Sequence, residues 1–145
     1  MNIKPFKEIK TEDILIIERE LKVELPLDYK NFLLKFNGGI VEKDDSNFVQ
    51  VEGLSEEIVI DVFFGIHQNT NSDILYWNRE MRDELLEKTI IIADDIIQGF
   101  IVLICEGEDK GVYYWDDAYN FETSDDESNV YWIADDFTSF LEQLR

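Results

Sequence analysis

Three apolar runs separated by short polar dividers constrain the fold of this chain more than any other feature of its sequence. The runs are TIIIAD (89–94), GFIVLIC (99–105) and GVYYWD (111–116), and each is rich in residues typical of strands. Each divider is a few polar or glycine-containing residues long. That length suits a hairpin and is too short for the crossover that parallel strands need. The sequence therefore predicts neighbouring antiparallel strands in this half of the chain.

The N-terminal part of the chain has the periodicity of two helices. In TEDILIIERELKV (11–23), Thr11 is the expected N-cap, and apolar residues follow with helical spacing. ELPLDYKNFLLKFNGG (24–39) predicts a second helix, which begins at Pro26 because the missing N–H of proline is not needed there. The helix should stop at Asn37 and the glycine pair after it, since glycine accepts the left-handed conformation.

The remaining segments complete an alternation of helices and strands. NSDILYWNREMRDELLEK (71–88) predicts a middle helix with Ser72 as its cap, and DDFTSFLEQLR (135–145) predicts a C-terminal helix. Further strands are expected at NFVQV (47–51), IVIDVFFGI (58–66) and NVYWIA (129–134), with loops at DSN (45–47) and TSDDESN (123–129). The prediction is an α+β fold: one domain, residues 1–145, with a mainly antiparallel sheet on which the N-terminal, middle and C-terminal helices pack.

The charge of the chain is strongly negative and unevenly distributed. The sequence has 33 acidic and 13 basic residues, a formal net charge of −20, and residues 89–145 hold 14 of the acids but only two of the bases. A negative field of this size repels phosphate backbones and anionic lipid, so we expect no direct binding to nucleic acid or membranes. The same field would steer a basic protein toward the chain. The alternative is that the acids serve solubility alone.

Three further observations predict a cytoplasmic protein. No run approaches the roughly 20 consecutive apolar residues of a membrane span. The N-terminal residues lack the apolar stretch and cleavage site of a signal peptide. Cys105 is the only cysteine, so no internal disulfide framework is possible.

The sequence offers little for catalysis. His67 is the only histidine, and Cys105 lies within an apolar run, where a buried and inert thiol is expected. Nucleophile-elbow, Walker and dinucleotide-binding motifs are absent. An EF-hand loop starting at Asp125 would place Val130 where a glycine is required. We expect no catalytic residue, no cofactor and no metal. Weak cation binding by the acids, a Cys–His pair and a hydrolase built on paired carboxylates stay open as alternatives.

The segment DDAYNFETSDDESN (116–129) combines six acids, no base and two aromatic residues. Interface cores favour aromatic anchors, with charged residues at the rim. We therefore predict a partner-binding surface made of Asp116, Asp117, Tyr119, Phe121, Glu122, Asp125, Asp126 and Glu127. Asp94 and Asp95 would join it if the strand that they end pairs with GVYYW. The alternative is a solvated loop without a partner.

An ordered set of short motifs begins at about residue 12 and runs through nearly the whole chain. The motifs are LP (25–26) with DY (28–29) and FL (32–33), the NGG stop (37–39), IAD (92–94) with Gly99, GVYYWD (111–116), and Ala134 with Phe137, Phe140 and Leu141. This set resembles the SUKH superfamily, which includes the yeast cell-wall-assembly regulator domain and many bacterial immunity proteins. The chain departs from the pattern at Asp117, where relatives often carry histidine.

The resemblance implies an α+β fold without catalytic activity. Bacterial members typically neutralise a cognate toxin, often a nuclease, and nucleases that bind phosphates tend to be basic. The leading hypothesis is therefore an immunity protein whose acidic surface binds a basic toxin, either as a monomer or as a homodimer. The alternative is a non-catalytic regulatory scaffold like the cell-wall-assembly regulators.

Overall fold

A computed structural model describes residues 2–43 and 47–144 of the chain. The helices are α1 (Thr11–Leu21), α2 (Leu27–Phe36), α3 (Ile74–Glu80) and α4 (Phe137–Gln143), with short 3-10 turns at Thr70–Ser72 and Arg82–Glu84. The strands are β1 (Ile3–Pro5), β2 (Gly39–Val41), β3 (Phe48–Val49), β4 (Ile58–Phe63), β5 (Thr89–Asp95), β6 (Phe100–Ile104), β7 (Gly111–Trp115) and β8 (Val130–Ala134). The α+β prediction is confirmed.

The strands form an antiparallel sheet in the order β1-β2-β4-β5-β6-β7-β8, and β3 pairs with β4. The two hairpins predicted from the short dividers are confirmed, because β5 pairs with β6 and β6 pairs with β7, both antiparallel. Asp94 and Asp95 were expected to join the partner-binding surface if their strand paired with GVYYW. The two strands, β5 and β7, do not pair, because β6 lies between them. Two antiparallel steps nevertheless bring the C-terminal ends of β5 and β7 to the same end of the sheet.

Aromatic packing and a buried side-chain amide hold the helices against the sheet. Phe137 of α4 and Phe32 of α2 pack at 5.0 Å between ring centroids, and Phe32 lies 5.1 Å from Phe63 of β4. On α3, the side-chain amide of Asn78 donates to the carbonyl of Ile91 at 2.9 Å and accepts from its N–H at 2.8 Å. Aromatic pairs of this kind stabilise a fold beyond the area that they bury.

The predicted stop after α2 is confirmed, and its detail gives Asn37 a larger role than ending a helix. Asn37 has the left-handed conformation with φ of 53° and is buried. Its side-chain amide donates to the carbonyls of Lys7 and Ile66 at 2.8 and 3.0 Å, and its Oδ1 accepts from the N–H of Ile66 at 2.8 Å. One residue therefore joins the end of α2 to two other segments.

Several local predictions are wrong. Lys10, and not Thr11, is the N-cap of α1, because the backbone N–H of Lys10 bonds the carboxylate of Asp13 at 2.9 Å. The cap of α3 is Asp73, and not Ser72, since the Asp73 carboxylate accepts from the N–H of Tyr76 at 3.0 Å. The short strands β1 and β2 were not predicted. Within the predicted DSN loop, residues 45 and 46 lie outside the described residues.

Candidate functional site

The turn between β5 and β6 is held by a buried carboxylate. Asp95 accepts hydrogen bonds from the N–H of Gly99 at 2.7 Å and from the hydroxyl of Tyr114 at 2.9 Å. A side chain at position 99 would not fit, because a Cβ there would lie 2.0 Å from the Tyr114 hydroxyl oxygen. The turn is therefore fixed against β7, and its two apolar residues, Ile96 and Ile97, face solvent with 53% and 45% of their surface exposed.

The first half of the acidic segment is folded by a second buried carboxylate. Asp116, fully buried, accepts from the backbone N–H groups of Asn120 and Phe121, each at 2.9 Å. The ring of Phe121 then meets Tyr114 edge-on, with 5.8 Å between ring centroids. Asp116 and Phe121 therefore shape the loop from inside, while Tyr119 between them is 48% exposed.

The second half of the acidic segment is also ordered by its own side chains. Oδ1 of Asp125 accepts from the N–H groups of Glu127 and Ser128, both at 2.9 Å. The hydroxyls of Thr123 and Ser124 lie 2.8 and 2.7 Å from the hydroxyl of Tyr131. These bonds hold the loop against β8 and leave the side chains of Glu122, Asp126 and Glu127 exposed.

The turn and the loop meet to form one surface, which we call the acidic surface: Glu84, Ile96, Ile97, Asp117, Tyr119, Glu122, Asp125, Asp126 and Glu127. A contact between the Asn120 amide and the carbonyl of Ile97, at 3.5 Å, joins its two parts. Burial raises the pKa of Asp117, and the negative charges of Asp116, Glu84 and Asp95 add to this rise. A hydrogen bond to Asp126 raises the pKa of Tyr119. Glu84 and Asp117 of this surface therefore lie close enough to repel each other.

Asp94 is placed apart from this surface. Its Oδ1 accepts from the N–H of Val62 at 3.0 Å, beside the bulge where β4 and β5 shift register. Asp61 lies nearby and forms an ion pair with Lys43. Burial, helped by the negative charge of Asp61, raises the pKa of Asp94 to about 7. Its surroundings are thus those of the bulge in β4, and they differ from those of the acidic loop.

The ten candidate residues fall into three groups. Six of them are exposed or half-exposed on the acidic surface: Asp117, Tyr119, Glu122, Asp125, Asp126 and Glu127. Asp95 and Asp116 are buried and Phe121 is half-buried against Tyr114, and these three shape that surface from below. Asp94 lies at the bulge. Sequence reasoning missed Glu84, Ile96 and Ile97. The two isoleucines did carry a signal, because two apolar residues inside a short hairpin turn have no core within reach.

Cys105 and His67, the candidates for a catalytic pair, lie in packed surroundings. The Cys105 thiol is buried, which raises its pKa to about 12. The ring of His67 packs at 4.5 Å on Phe6, and its Nδ1 accepts from the N–H of Asn69 at 2.9 Å. Within residues 2–43 and 47–144, no three His, Cys, Asp or Glu side chains are grouped to hold a metal ion. None of the helices in these ranges has the length and apolar character required to cross a membrane.

Comparison with known proteins identifies a family but no individual relative. No curated protein and no solved structure matches the chain. The model of the SMI1 / KNR4 family (SUKH-1) matches residues 8–143, a range that includes every motif on which the resemblance rested. Because this match covers far more than half of the sequence, the chain belongs to the SMI1 / KNR4 family (SUKH-1).

Proposed function

We propose that this chain is an immunity protein, which binds a cognate basic toxin, a nuclease, and neutralises it through the acidic surface. The observation that carries the proposal is the composition of that surface. Three exposed apolar or aromatic side chains, Ile96, Ile97 and Tyr119, lie on an ordered scaffold among the carboxylates of Glu84, Asp117 and the acidic loop. An apolar centre with a charged rim is the usual anatomy of a protein–protein interface.

Family membership supports the general class of this role. Members of the family are immunity or regulatory domains and are generally non-catalytic. The chain would therefore act by occupying the active site or the nucleic-acid surface of the toxin, without chemistry of its own. We also propose that it acts as one domain in the cytoplasm, where its single, buried thiol fits a reducing compartment.

The charge of the chain supports a basic partner. A net charge of −20 accelerates the encounter with a positively charged protein and repels the nucleic acid that such a toxin binds. The exposed isoleucines and Tyr119 would then decide how long the complex lasts, because apolar anchors act mainly on dissociation. Raised salt should therefore slow the association of the complex more than it speeds dissociation.

The test is a capture experiment with matched variants. The immobilised chain is incubated with lysate of its source cell at low and at high salt, and retained proteins are identified by mass spectrometry. I96S/I97S removes the apolar centre, and L15S/L27S removes two exposed leucines of α1 and α2 as a control.

We expect a basic protein with a toxin domain to be retained by the wild type and by the control, to be lost from I96S/I97S, and to be released more readily at high salt. A non-toxin partner would replace the immunity role by the regulatory one. Equal retention by both variants would mean that the acidic surface is not the interface. No retained protein at either salt would refute the proposal.

A further inference from the structure

A second surface of the molecule is a groove lined by aromatic and acidic side chains, and none of its residues belongs to the acidic surface. The groove, of about 750 Å³, lies between β8 and the segment that follows β3. Phe48 and Trp132 line it with 38% and 41% of their surface exposed. Glu52, Glu56 and Glu57 are among the other residues that line it, and all three are exposed. In the part of the chain that the structure describes, no lysine or arginine lines this groove.

The tryptophan in this groove differs from the other two in the chain. Trp77 and Trp115 pack on the ring of Phe100, with centroids at 5.3 and 5.7 Å. Trp132 has no ring partner and no cation over it among residues 2–43 and 47–144. A half-exposed indole on a strand, without a ring contact among the described residues, is a surface on which a ligand can stack.

The backbone joins Glu52 to the strand of this indole, and Glu56 and Glu57 line the same groove. The N–H of Glu52 donates to the carbonyl of Trp132 at 3.3 Å, so the turn that carries Glu52 lies against β8. None of Glu52, Glu56 and Glu57 forms an ion pair with a described residue. Three carboxylates without an ion pair among the described residues and two exposed rings line one cleft, and this combination suits a positive, planar group of a partner.

We propose that this groove binds an extended, arginine-containing segment of a partner protein. The guanidinium is planar and weakly hydrated, so it stacks on Trp132 while its N–H groups bond a carboxylate of the glutamate segment. A lysine would satisfy the charge but would lose the stacking and the two-point geometry. A second copy of this chain is a poor occupant, because each copy carries a charge of −20.

The inference rests on the proposed function for the identity of the partner, which would be the same basic toxin, held at a second place. The binding chemistry of the groove itself does not depend on that identity. It can therefore be tested without any toxin.

The probe is the blocked peptide Gly-Arg-Gly-Arg-Gly, titrated into the full chain at low salt and followed by the indole N–H signals of the three tryptophans in NMR spectra. The signal of Trp132 is assigned with the variant W132F. We expect it to shift on titration while those of Trp77 and Trp115 stay in place. The triple variant E52Q/E56Q/E57Q should weaken binding about fivefold or more. The control E122Q/D126N/E127Q removes the same charge from the acidic surface and should weaken binding less than about twofold.

Three results would overturn the proposal: no shift of the Trp132 signal, equal weakening by the two triple variants, or equal binding of the lysine counterpart of the peptide. Failure here is separable from failure of the proposed function. Peptide binding without any captured toxin would refute the immunity role and leave the groove standing. A captured toxin without peptide binding would refute the proposal for the groove and leave the immunity role standing.

Discussion

Replacing Asp94 by asparagine should stabilise the protein, and the gain should be larger at alkaline pH than in mild acid. Asp94 sits at the bulge of β4, where it accepts from the N–H of Val62 at 3.0 Å. Asparagine keeps an acceptor oxygen at that position and loses the ionisable group. Asp61 and Asp95 face this carboxylate with negative charge and Lys43 with positive charge. Asp94→Asn therefore removes one unfavourable ionisation and little else.

The sign follows from the proton balance of folding. An aspartate in the unfolded chain has a pKa of about 3.9, whereas the pKa of Asp94 in the fold is about 7. Between these values the folded state holds more protons than the unfolded state, so the free energy of unfolding falls as pH rises. The contribution of Asp94 is complete below about pH 4 and is lost by the time pH has passed about 7.

The magnitude follows from the same two values. Each pKa unit is worth about 1.4 kcal/mol, and two of the units lie between pH 5 and pH 7, which gives about 2.7 kcal/mol as an upper bound. Part of the Asp94 surface stays in contact with solvent, which screens its charge. We therefore expect the stability gain of Asp94→Asn over the wild type to grow by about 1–2 kcal/mol between pH 5 and pH 8.

Urea unfolding of both proteins at pH 5 and pH 8 measures this difference. The control is Glu127→Gln, which removes one charge from an exposed side chain of the acidic loop. It reports the general relief of repulsion in a chain of charge −20. If the gain of Asp94→Asn is the same at both pH values, or equals that of the control, then burial does not hold Asp94 in its protonated form and the reasoning is wrong.

Two further predictions concern buried polar groups away from the acidic surface. Tyr29→Phe should raise the free energy of unfolding by about 1 kcal/mol, since the buried hydroxyl of Tyr29 has no hydrogen-bond partner in the described structure. A lower urea midpoint for this variant would contradict that explanation. Asn37→Ala should cost about 3 kcal/mol or more, because it removes the side-chain bonds to Lys7 and Ile66. Asn37→Gly relaxes the left-handed backbone, and an equal loss there would assign the cost to the hydrogen bonds.

The pairing of strands in the sheet was predictable where the local sequence alone determined it. The apolar runs that became β5, β6 and β7 were separated by dividers too short for anything but hairpins, so local chain length decided the pairing. β1 and β2 contain only three residues each, and they pair with each other across the whole of α1 and α2. Such strands exist because of tertiary contacts, and three residues carry no periodicity that could reveal them.

The candidate site was predictable in composition and less so in role. Aspartates and aromatic residues in DDAYNFETSDDESN indicated an interface, but composition does not separate a carboxylate that faces solvent from one that faces a backbone N–H. Asp116 and Asp117 are adjacent, and yet the first is fully buried with two backbone donors while the second is half-exposed. The difference depends on how the chain turns after β7, which only the folded loop determines.

Buried and exposed acids therefore have to be perturbed in different ways when the acidic surface is tested. Asp95 and Asp116 each occupy the inside of a turn, and loss of either would leave backbone N–H groups without acceptors, at a cost of about 1–3 kcal/mol each. Such a variant would lose binding because the exposed residues move, even if its carboxylate never meets a partner. Substitution of Glu122 or Glu127 removes the charge of an exposed side chain and keeps the scaffold. A binding loss that tracks the second kind of variant, at unchanged stability, is the one that identifies contact with a partner.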